Sequence, residues 1–164
     1  MSSLKKQPTR RFLLLAPLAL AACGFEPVFA PGQTGSALRN RVLVEAPKDQ
    51  NSYLLTREIE ERLGRGGNAT YTLTFNVSTS ERQLAVDQEG ITGRYHMLGR
   101  VDYALRDITS GEVVGSNYIE SFVGYSATGT TVVTLAGERD ARARLMNILA
   151  DQVVTRLLAL DLPS

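Results

Sequence analysis

TYTLTFNVS, residues 70–78, is the most regular alternation of polar and apolar residues in this chain of 164 residues. Large apolar side chains occupy every second position, and small polar side chains occupy the positions between them. Successive side chains of a β-strand point to opposite faces of a sheet, so this period of two predicts a strand with one buried and one hydrated face. We expect the buried face to carry Tyr71, Leu73, Phe75 and Val77.

Two elements are predicted upstream of this strand. Residues 41–45 are apolar and β-branched and precede Pro47, which is typical of a short first strand. Capping residues stand at 49–52, and apolar residues then recur at helical spacing over residues 53–63. Glycines 64, 66 and 67 follow and can end a helix. The pattern therefore predicts a first amphipathic helix at about 53–63.

Two further strands are predicted downstream. Residues 94–107 and 113–125 alternate again, and Thr109-Ser110-Gly111 between them indicates a hairpin turn. The intervening segment 82–93 contains acidic residues and glycines, and we interpret it as a loop or a bulged strand edge. After a break at residues 126–130, a long amphipathic helix is predicted from about residue 133 to 160. Its apolar stripe comprises Leu145, Ile148, Leu149, Val153, Leu157 and Leu160.

The predicted order of elements is β-α-β-β-β-α. Sequential strands joined by hairpins form antiparallel pairs, and two helices suffice to cover one face of a small sheet. The sequence therefore predicts an α+β fold: a two-layer sandwich with a four-stranded, mostly antiparallel sheet and two helices on one face.

Three arginines share the hydrated face of the strand predicted at 94–107, namely Arg94, Arg100 and Arg106, and Arg82 is nearby in the sequence. Guanidinium groups bind phosphate oxygens in a bidentate manner, so this face is a candidate contact surface for an anionic amphiphile. The alternative is an ordinary solvated face, because Asp102 lies among the arginines.

The residues typical of an enzyme or a metal site are not grouped in this sequence. His96, the only histidine, falls in the middle of a strand and is interpreted as a structural group, and Glu58 and Glu61 are interpreted as part of a solvated helix face. One histidine and one cysteine disfavour a zinc site, and we expect no cofactor. The chain also lacks the excess of basic residues that would indicate nucleic-acid binding.

The N-terminal segment has the layout of a secretory signal. Four basic residues precede an apolar run from Phe12 to Ala22, which is shorter than the ~20 residues that span a bilayer. LAAC at residues 20–23 resembles a bacterial lipobox, so Cys23 is expected to carry diacylglyceryl and N-acyl groups. We expect a signal peptide at 1–22, a lipidated N-terminus and flexible tether at 23–40, and a single α+β domain at 41–164. The mature chain would have 142 residues and a net charge of −3.

Several segments occur in a characteristic order from the lipobox onward, namely Cys23–Pro27, Tyr103–Asp107 with Ser110-Gly111, Ser121–Val123 and Ala136–Ala141. With these segments and the predicted order of elements, the chain resembles the lipopolysaccharide-assembly lipoproteins of the outer membrane. The resemblance implies a non-enzymatic protein, anchored by lipid to the periplasmic side of the outer membrane. It implies two partners: a large lipopolysaccharide-inserting β-barrel, which the lipoprotein plugs and helps to assemble, and lipopolysaccharide itself.

Two other classes of function stay open at the level of sequence. One is a stand-alone, periplasm-facing binding module for an anionic lipid or another envelope component. The absence of tryptophan and the aromatic content of 7% disfavour sugar binding for such a module. The other is a lipoprotein hydrolase, for which the sequence offers no paired nucleophile and base.

Overall fold

The computed structural model describes residues 37–86, 92–127 and 130–162. It confirms the α+β class and the predicted order of elements. Along the chain these are β1 (Val42–Val44), α1 (Gln50–Leu63), β2 (Tyr71–Val86), β3 (Thr92–Asp107), β4 (Val113–Ser126) and α2 (Thr131–Leu158).

The four strands form one sheet in the order β1-β2-β3-β4. β1 is parallel to β2 and pairs only with Tyr71–Leu73, whereas β2, β3 and β4 are joined as antiparallel neighbours. The base of the sheet is the end that holds β1 and the β3–β4 turn. The tip is the opposite end, where β2 finishes, β3 begins, β4 finishes and α2 begins. At about 3.4 Å per residue, β2 extends roughly 54 Å from base to tip.

The segment interpreted as a loop or bulged edge is partly strand. β2 continues to Val86, and its register with β3 shifts between Gln83 and Ala85 and again between Ala85 and Val86, as in a β-bulge. A bulge inserts an unpaired residue and increases the local twist. The bulged edge is therefore confirmed for residues 82–86, while residues 87–91 lie outside the described part of the chain.

Both helices cover the same face of the sheet, which we call the inner face. Leu145, Leu149 and Val153 of α2 are fully buried against the sheet. The strands contribute alternate residues to this face: Leu73, which was predicted to be buried, and also Met97, Val101, Leu105 and Ile119. Burial of this apolar surface provides the main driving force for folding.

Ile148 was assigned to the buried stripe of α2, and this assignment is wrong. Its side chain is 36% exposed, whereas Met146, Ala150 and Val154 are buried. Residues 150 and 154 stand three positions after Asn147 and Asp151, which contact Glu58 and Arg62 of α1, so this flank of α2 packs toward α1. The second helix therefore shifts the buried stripe around α2, an effect that the spacing of apolar residues within α2 alone does not reveal.

The predicted tether extends too far into the chain. Ala37 and Leu38 are helical and buried, with Leu38 completely inaccessible to solvent. The Asn40 N–H donates to the Leu63 carbonyl at 2.7 Å, and the Arg41 N–H donates to Leu38. Residues 37–40 are thus part of the domain, because Leu38 fills a place in its core. The rest of the predicted tether and the signal peptide lie outside the described residues.

Glu58 is not on a solvated face, in contrast to the prediction. It is 7% exposed and accepts hydrogen bonds from Arg57 at 2.7 Å, Arg62 at 3.2 Å and Asn147 of α2 at 2.6 Å. The pKa of the Glu58 carboxyl lies below its ordinary value, and the largest cause is the hydrogen bond from Arg57. Burial of the carboxyl acts in the opposite direction and raises this pKa. Glu61, one turn further, is exposed as predicted.

Candidate functional site

The outer face of the sheet, opposite the helices, carries the three predicted arginines along β3. Arg94, Arg100 and Arg106 are six residues apart from one another, which corresponds to about 20 Å per interval along a strand. An even spacing along one continuous strand places all three on the same face, as predicted. Three groups this far apart cannot contact one phosphate. Each arginine also has a different environment.

Arg100 is already occupied by partners on its own sheet. Its guanidinium binds Asp102 at 2.6 Å and Glu120 at 2.9 Å, and it lies 4.1 Å from the centroid of the Tyr118 ring. The hydrogen bond to Asp102, followed by that to Glu120, raises the pKa of Arg100, and Arg100 in turn lowers the pKa of the Asp102 carboxyl. With two carboxylates in contact, Arg100 is a poor candidate for binding an additional anion.

Arg106 lies at the base and stabilises the β3–β4 turn by donating to the Gly111 carbonyl. The same turn is held by Asp107, whose carboxylate accepts the N–H groups of Thr109 and Ser110 at 2.8 Å. These bonds, above all the one from Ser110, lower the pKa of Asp107. The contacts explain why this sequence forms a hairpin, and they give Arg106 a structural role.

Arg94 lies at the tip, is exposed, and makes no ion pair or hydrogen bond within the described residues. Arg82 of β2, also exposed, is paired across the strands with His96, which places it diagonally opposite Arg94. Cα atoms of such diagonal neighbours are about 7–8 Å apart. The structure thus brings together Arg82 and Arg94 instead of the three arginines of β3.

An open cleft of about 670 Å³ lies beside Arg94, between the tip of the sheet and the first turns of α2. Two stacked rings, Tyr95 and Tyr125, contribute to its wall with their centroids 5.4 Å apart. Burial, followed by a hydrogen bond to Glu81, raises the pKa of Tyr125 to about 12, so this phenol is neutral at physiological pH. Leu84 and Val133 add exposed apolar surface to the cleft. The cleft therefore combines aromatic, aliphatic and cationic groups.

Polar residues of α2 complete the cleft. Asp140 and Arg144 line it and form an ion pair with each other at 2.9 Å. His96, which also lines it, packs against Phe122 with ring centroids 4.7 Å apart. The contact with Phe122 is consistent with the structural role that was predicted for His96. Among the described residues that line the cleft, Arg94 is the cation whose guanidinium group is free.

The described ranges, 37–86, 92–127 and 130–162, lack two features. No group of three or more His, Cys, Asp or Glu side chains is arranged to hold a metal ion there. No helix in these ranges combines the length and the apolar character that a membrane span requires.

Comparison with known proteins identifies the family. A family model described as "LptE: Lipopolysaccharide-assembly" matches residues 39–157, a range that includes all four strands and all of α1. The chain belongs to this lipopolysaccharide-assembly family. The family resemblance predicted from the sequence is thereby confirmed, although no match was found among curated protein sequences.

Solved structures with the same fold come from several bacteria. A protein from Caulobacter crescentus CB15 is 22% identical and superimposes with a TM-score of 0.65 over 76% of this chain and 92% of its own. Rare lipoprotein B from Shewanella oneidensis is 13% identical, with a TM-score of 0.54 over 71% and 91% of the two chains. A lipoprotein B from Nitrosomonas europaea is 16% identical, with a TM-score of 0.58 over 83% of this chain and 91% of its own. At these identities the likeness establishes the fold.

The tip cleft was not predicted as a site. Its lining comes from three strands and one helix, so its residues are scattered over sixty positions of the sequence between Leu84 and Arg144. The diagonal placement of Arg82 and Arg94 depends on the register across the β2–β3 hairpin, which the alternation pattern alone does not specify. The only available signal was the closeness of Arg82 to Arg94 in the sequence.

Proposed function

We propose that this protein is a non-enzymatic lipoprotein of lipopolysaccharide assembly, and that it acts as plug and assembly partner of a lipopolysaccharide-inserting β-barrel in the outer membrane. The observation that carries the proposal is the match of the family model over nearly the whole domain. The partnership with the barrel is the part of the proposal that requires an experiment.

The shape and surface of the domain support a role as a plug. Two helices fill the inner face of the sheet, while the outer face shows short polar side chains, among them Thr74, Asn76 and Ser78 of β2. The lumen of an outer-membrane barrel is polar, so a rigid wedge with a polar face can pack there without burying unpaired apolar surface.

The tip supports a contact with lipopolysaccharide. Lipopolysaccharide carries phosphate groups next to acyl chains, and the tip places Arg94 in a cleft with the apolar groups Leu84 and Val133, with Arg82 diagonal to Arg94 on β2. Guanidinium groups are well suited to phosphate recognition. We therefore assign the anionic contact to Arg94 and Arg82 and not to Arg100 and Arg106, because the latter two are engaged within the sheet.

The anchor follows from the sequence. We propose that Cys23 is lipidated and holds the domain on the periplasmic side of the outer membrane. Each buried CH₂ contributes about 0.8 kcal/mol, so several acyl chains at one residue give a stable anchor where a single chain binds reversibly.

The test is co-purification of the full-length, lipidated protein with the lipopolysaccharide-assembly barrel of the same organism, after co-expression and detergent extraction. We expect a complex with one copy of each protein. The Cys23→Ser variant should lose the acyl mass in mass spectrometry and leave the membrane fraction. Recovery of the lipidated protein without the barrel would overturn the proposal, and retained lipopolysaccharide binding in that case would favour the stand-alone binding module.

A further inference from the structure

β4 forms one edge of the sheet. Among the strands of the described residues, β4 is the last in the sheet, and over its 14 residues it has a neighbour on one side only. The N–H and C=O groups on the other side of an edge strand are unpaired and can hydrogen-bond a further strand.

The residues that present these groups can be assigned from the register. The Ala127 N–H donates to the Gly93 carbonyl, so the pair 93–127 is hydrogen-bonded. Hydrogen-bonded pairs alternate along an antiparallel ladder, and the register runs unbroken from Arg94–Ser126 to Leu105–Gly115. The odd-numbered residues of β4 in this range therefore bond to β3, and the even-numbered residues direct their backbone groups to the free edge.

One contact agrees with this assignment and limits the open part of the edge. The Tyr118 N–H is bound by the side chain of its neighbour Asn117 at 2.8 Å, as expected for a group that points away from β3. Toward the tip, Glu120, Phe122 and Gly124 are all exposed. Within the described residues their outward N–H groups have no hydrogen-bond acceptor. The open edge therefore extends from Glu120 to Gly124.

Toward the tip, the opposite edge of the sheet is protected. Beyond its short pairing with β1, β2 carries the charged residues Glu81 and Arg82 on its edge, followed by the bulge at residues 83–86. Charges and bulges are the usual devices that prevent a strand from being added to an edge. β4 contains neither proline, lysine nor arginine, and its one charged residue, Glu120, is bound to Arg100. Toward the tip, where β4 is open, the two edges thus differ in whether they can accept a strand.

We infer that the β4 edge binds an extended segment of the protein partner by strand addition, centred on Phe122. The inference rests on the proposed function, which supplies that partner. A row of free backbone donors and acceptors along a strand is complementary to an extended polypeptide backbone, which is the basis of strand addition. Since the strands of a closed barrel have no free edges, the segment must come from a loop or a terminus of the barrel protein.

The side chains beside the edge define the residues that the segment should carry. Tyr118 and Phe122 project from the outer face and are 54% and 59% exposed. Apolar or aromatic residues of the added strand opposite these two positions would cover the rings, because cross-strand neighbours have Cβ atoms about 4.5–5.5 Å apart. We therefore expect a segment with two large apolar side chains that are four residues apart, one opposite each ring.

The experiment is amide hydrogen exchange, read residue by residue on the lipidated protein alone and in complex with the barrel protein. In the free protein, the amides of Glu120, Phe122 and Gly124 should exchange fast, and those of Ser121 and Val123, which bond to β3, should exchange slowly. In the complex, we expect exchange at the three even-numbered positions to slow at least tenfold and the two odd-numbered ones to stay slow. This alternating pattern distinguishes strand addition from simple occlusion of the face.

A pair of variants gives an independent readout. Phe122→Pro removes the outward N–H, which β3 does not use, and Phe122→Ala removes only the ring. We expect Phe122→Pro to weaken the complex at least tenfold more than Phe122→Ala, with both variants folded by circular dichroism. Should the proline variant not fold, the exchange experiment on the unmodified protein decides alone.

Three outcomes would overturn the inference. A complex that forms while exchange at Glu120, Phe122 and Gly124 is unchanged would overturn the inference and leave the proposed function intact. If exchange at these amides is already slow in the free protein and becomes slower as the protein concentration is raised, the edge pairs with a second copy of the chain instead. Failure of the complex to form would overturn the proposed function together with this inference.

Discussion

Leu149 of α2 lies directly over Gly99 of β3. A β-carbon added to Gly99 would be 2.8 Å from Cδ1 of Leu149 and 3.0 Å from Cδ2 of Leu145, and both leucines are fully buried. The absence of a side chain at residue 99 therefore sets how closely the long helix approaches the sheet. This contact lies midway along the sheet, where α2 crosses β3.

The first prediction concerns this contact. Gly99→Ala should lower the free energy of unfolding by about 1–3 kcal/mol, because extra volume in a close-packed core forces side chains and backbone to move. Urea denaturation followed by circular dichroism measures the change. Gly67→Ala is the matched control, since a β-carbon there has its nearest neighbour at 3.8 Å. Equal stability of the two variants would show that the helix can move away from the sheet at little cost.

Glu58 gives a prediction about pH. Its hydrogen bonds lower its pKa in the folded protein from the ordinary value of 4.5, so the ionised carboxylate stabilises the fold above this pH. The contribution is lost as the pH falls through the folded-state pKa. Glu58→Gln should therefore reduce stability by about 1–2 kcal/mol at pH 7, and the difference from the unmodified protein should disappear at acid pH. Thermal denaturation of both proteins at several pH values measures this difference in stability.

The control for Glu58 is Glu61→Gln on the exposed side of the same helix. This substitution removes the same charge without breaking a buried hydrogen bond, so it should change stability by less than about 0.5 kcal/mol. A Glu58→Gln variant whose stability remains parallel to that of the unmodified protein at every pH would contradict the role assigned to the carboxylate.

The successes and errors of sequence-based prediction in this chain have a common physical basis. The alternation at residues 70–78 gave the correct strand and buried face, because the period of two is a property of one strand alone. Glu58, Ile148 and Leu38 were misassigned because their burial depends on contacts with distant segments. Asn147 lies 89 residues from Glu58, and no local pattern indicates that they meet.

The arginines show the same limit at the candidate site. Their common face follows from the period of β3 and was predicted correctly. Whether each guanidinium is free depends on its cross-strand partners: Glu120 stands opposite Arg100, and Arg82 is diagonal to Arg94. Register is specified by the whole hairpin, so the sequence pattern alone could not distinguish the occupied arginine from the free one.

Leu38 provides a third prediction, about where the domain begins. Leu38→Ala should destabilise the domain by about 2–5 kcal/mol, because it leaves a cavity where a completely buried side chain stood. Leu43→Ala is the control: Leu43 is on β1 but 50% exposed, and its loss should cost much less. Chemical denaturation of both variants measures the difference. If the Leu38→Ala variant is as stable as the Leu43→Ala variant, residues 37–40 belong to the tether and not to the domain.

The last prediction distinguishes the arginine pair at the tip from Arg100. Replacing both Arg82 and Arg94 by alanine should weaken binding to lipopolysaccharide about tenfold, which corresponds to about 1.4 kcal/mol, because two exposed guanidinium groups that can bind phosphate are lost. The loss should become smaller at high salt, since exposed charges are screened. Arg100→Ala should change binding less than twofold, because Arg100 already binds Asp102 and Glu120. Titration of the purified variants with lipopolysaccharide measures the three affinities. Equal losses for the double variant and for Arg100→Ala would indicate a diffuse response to net charge, and the phosphate contact would then have to be placed away from the tip.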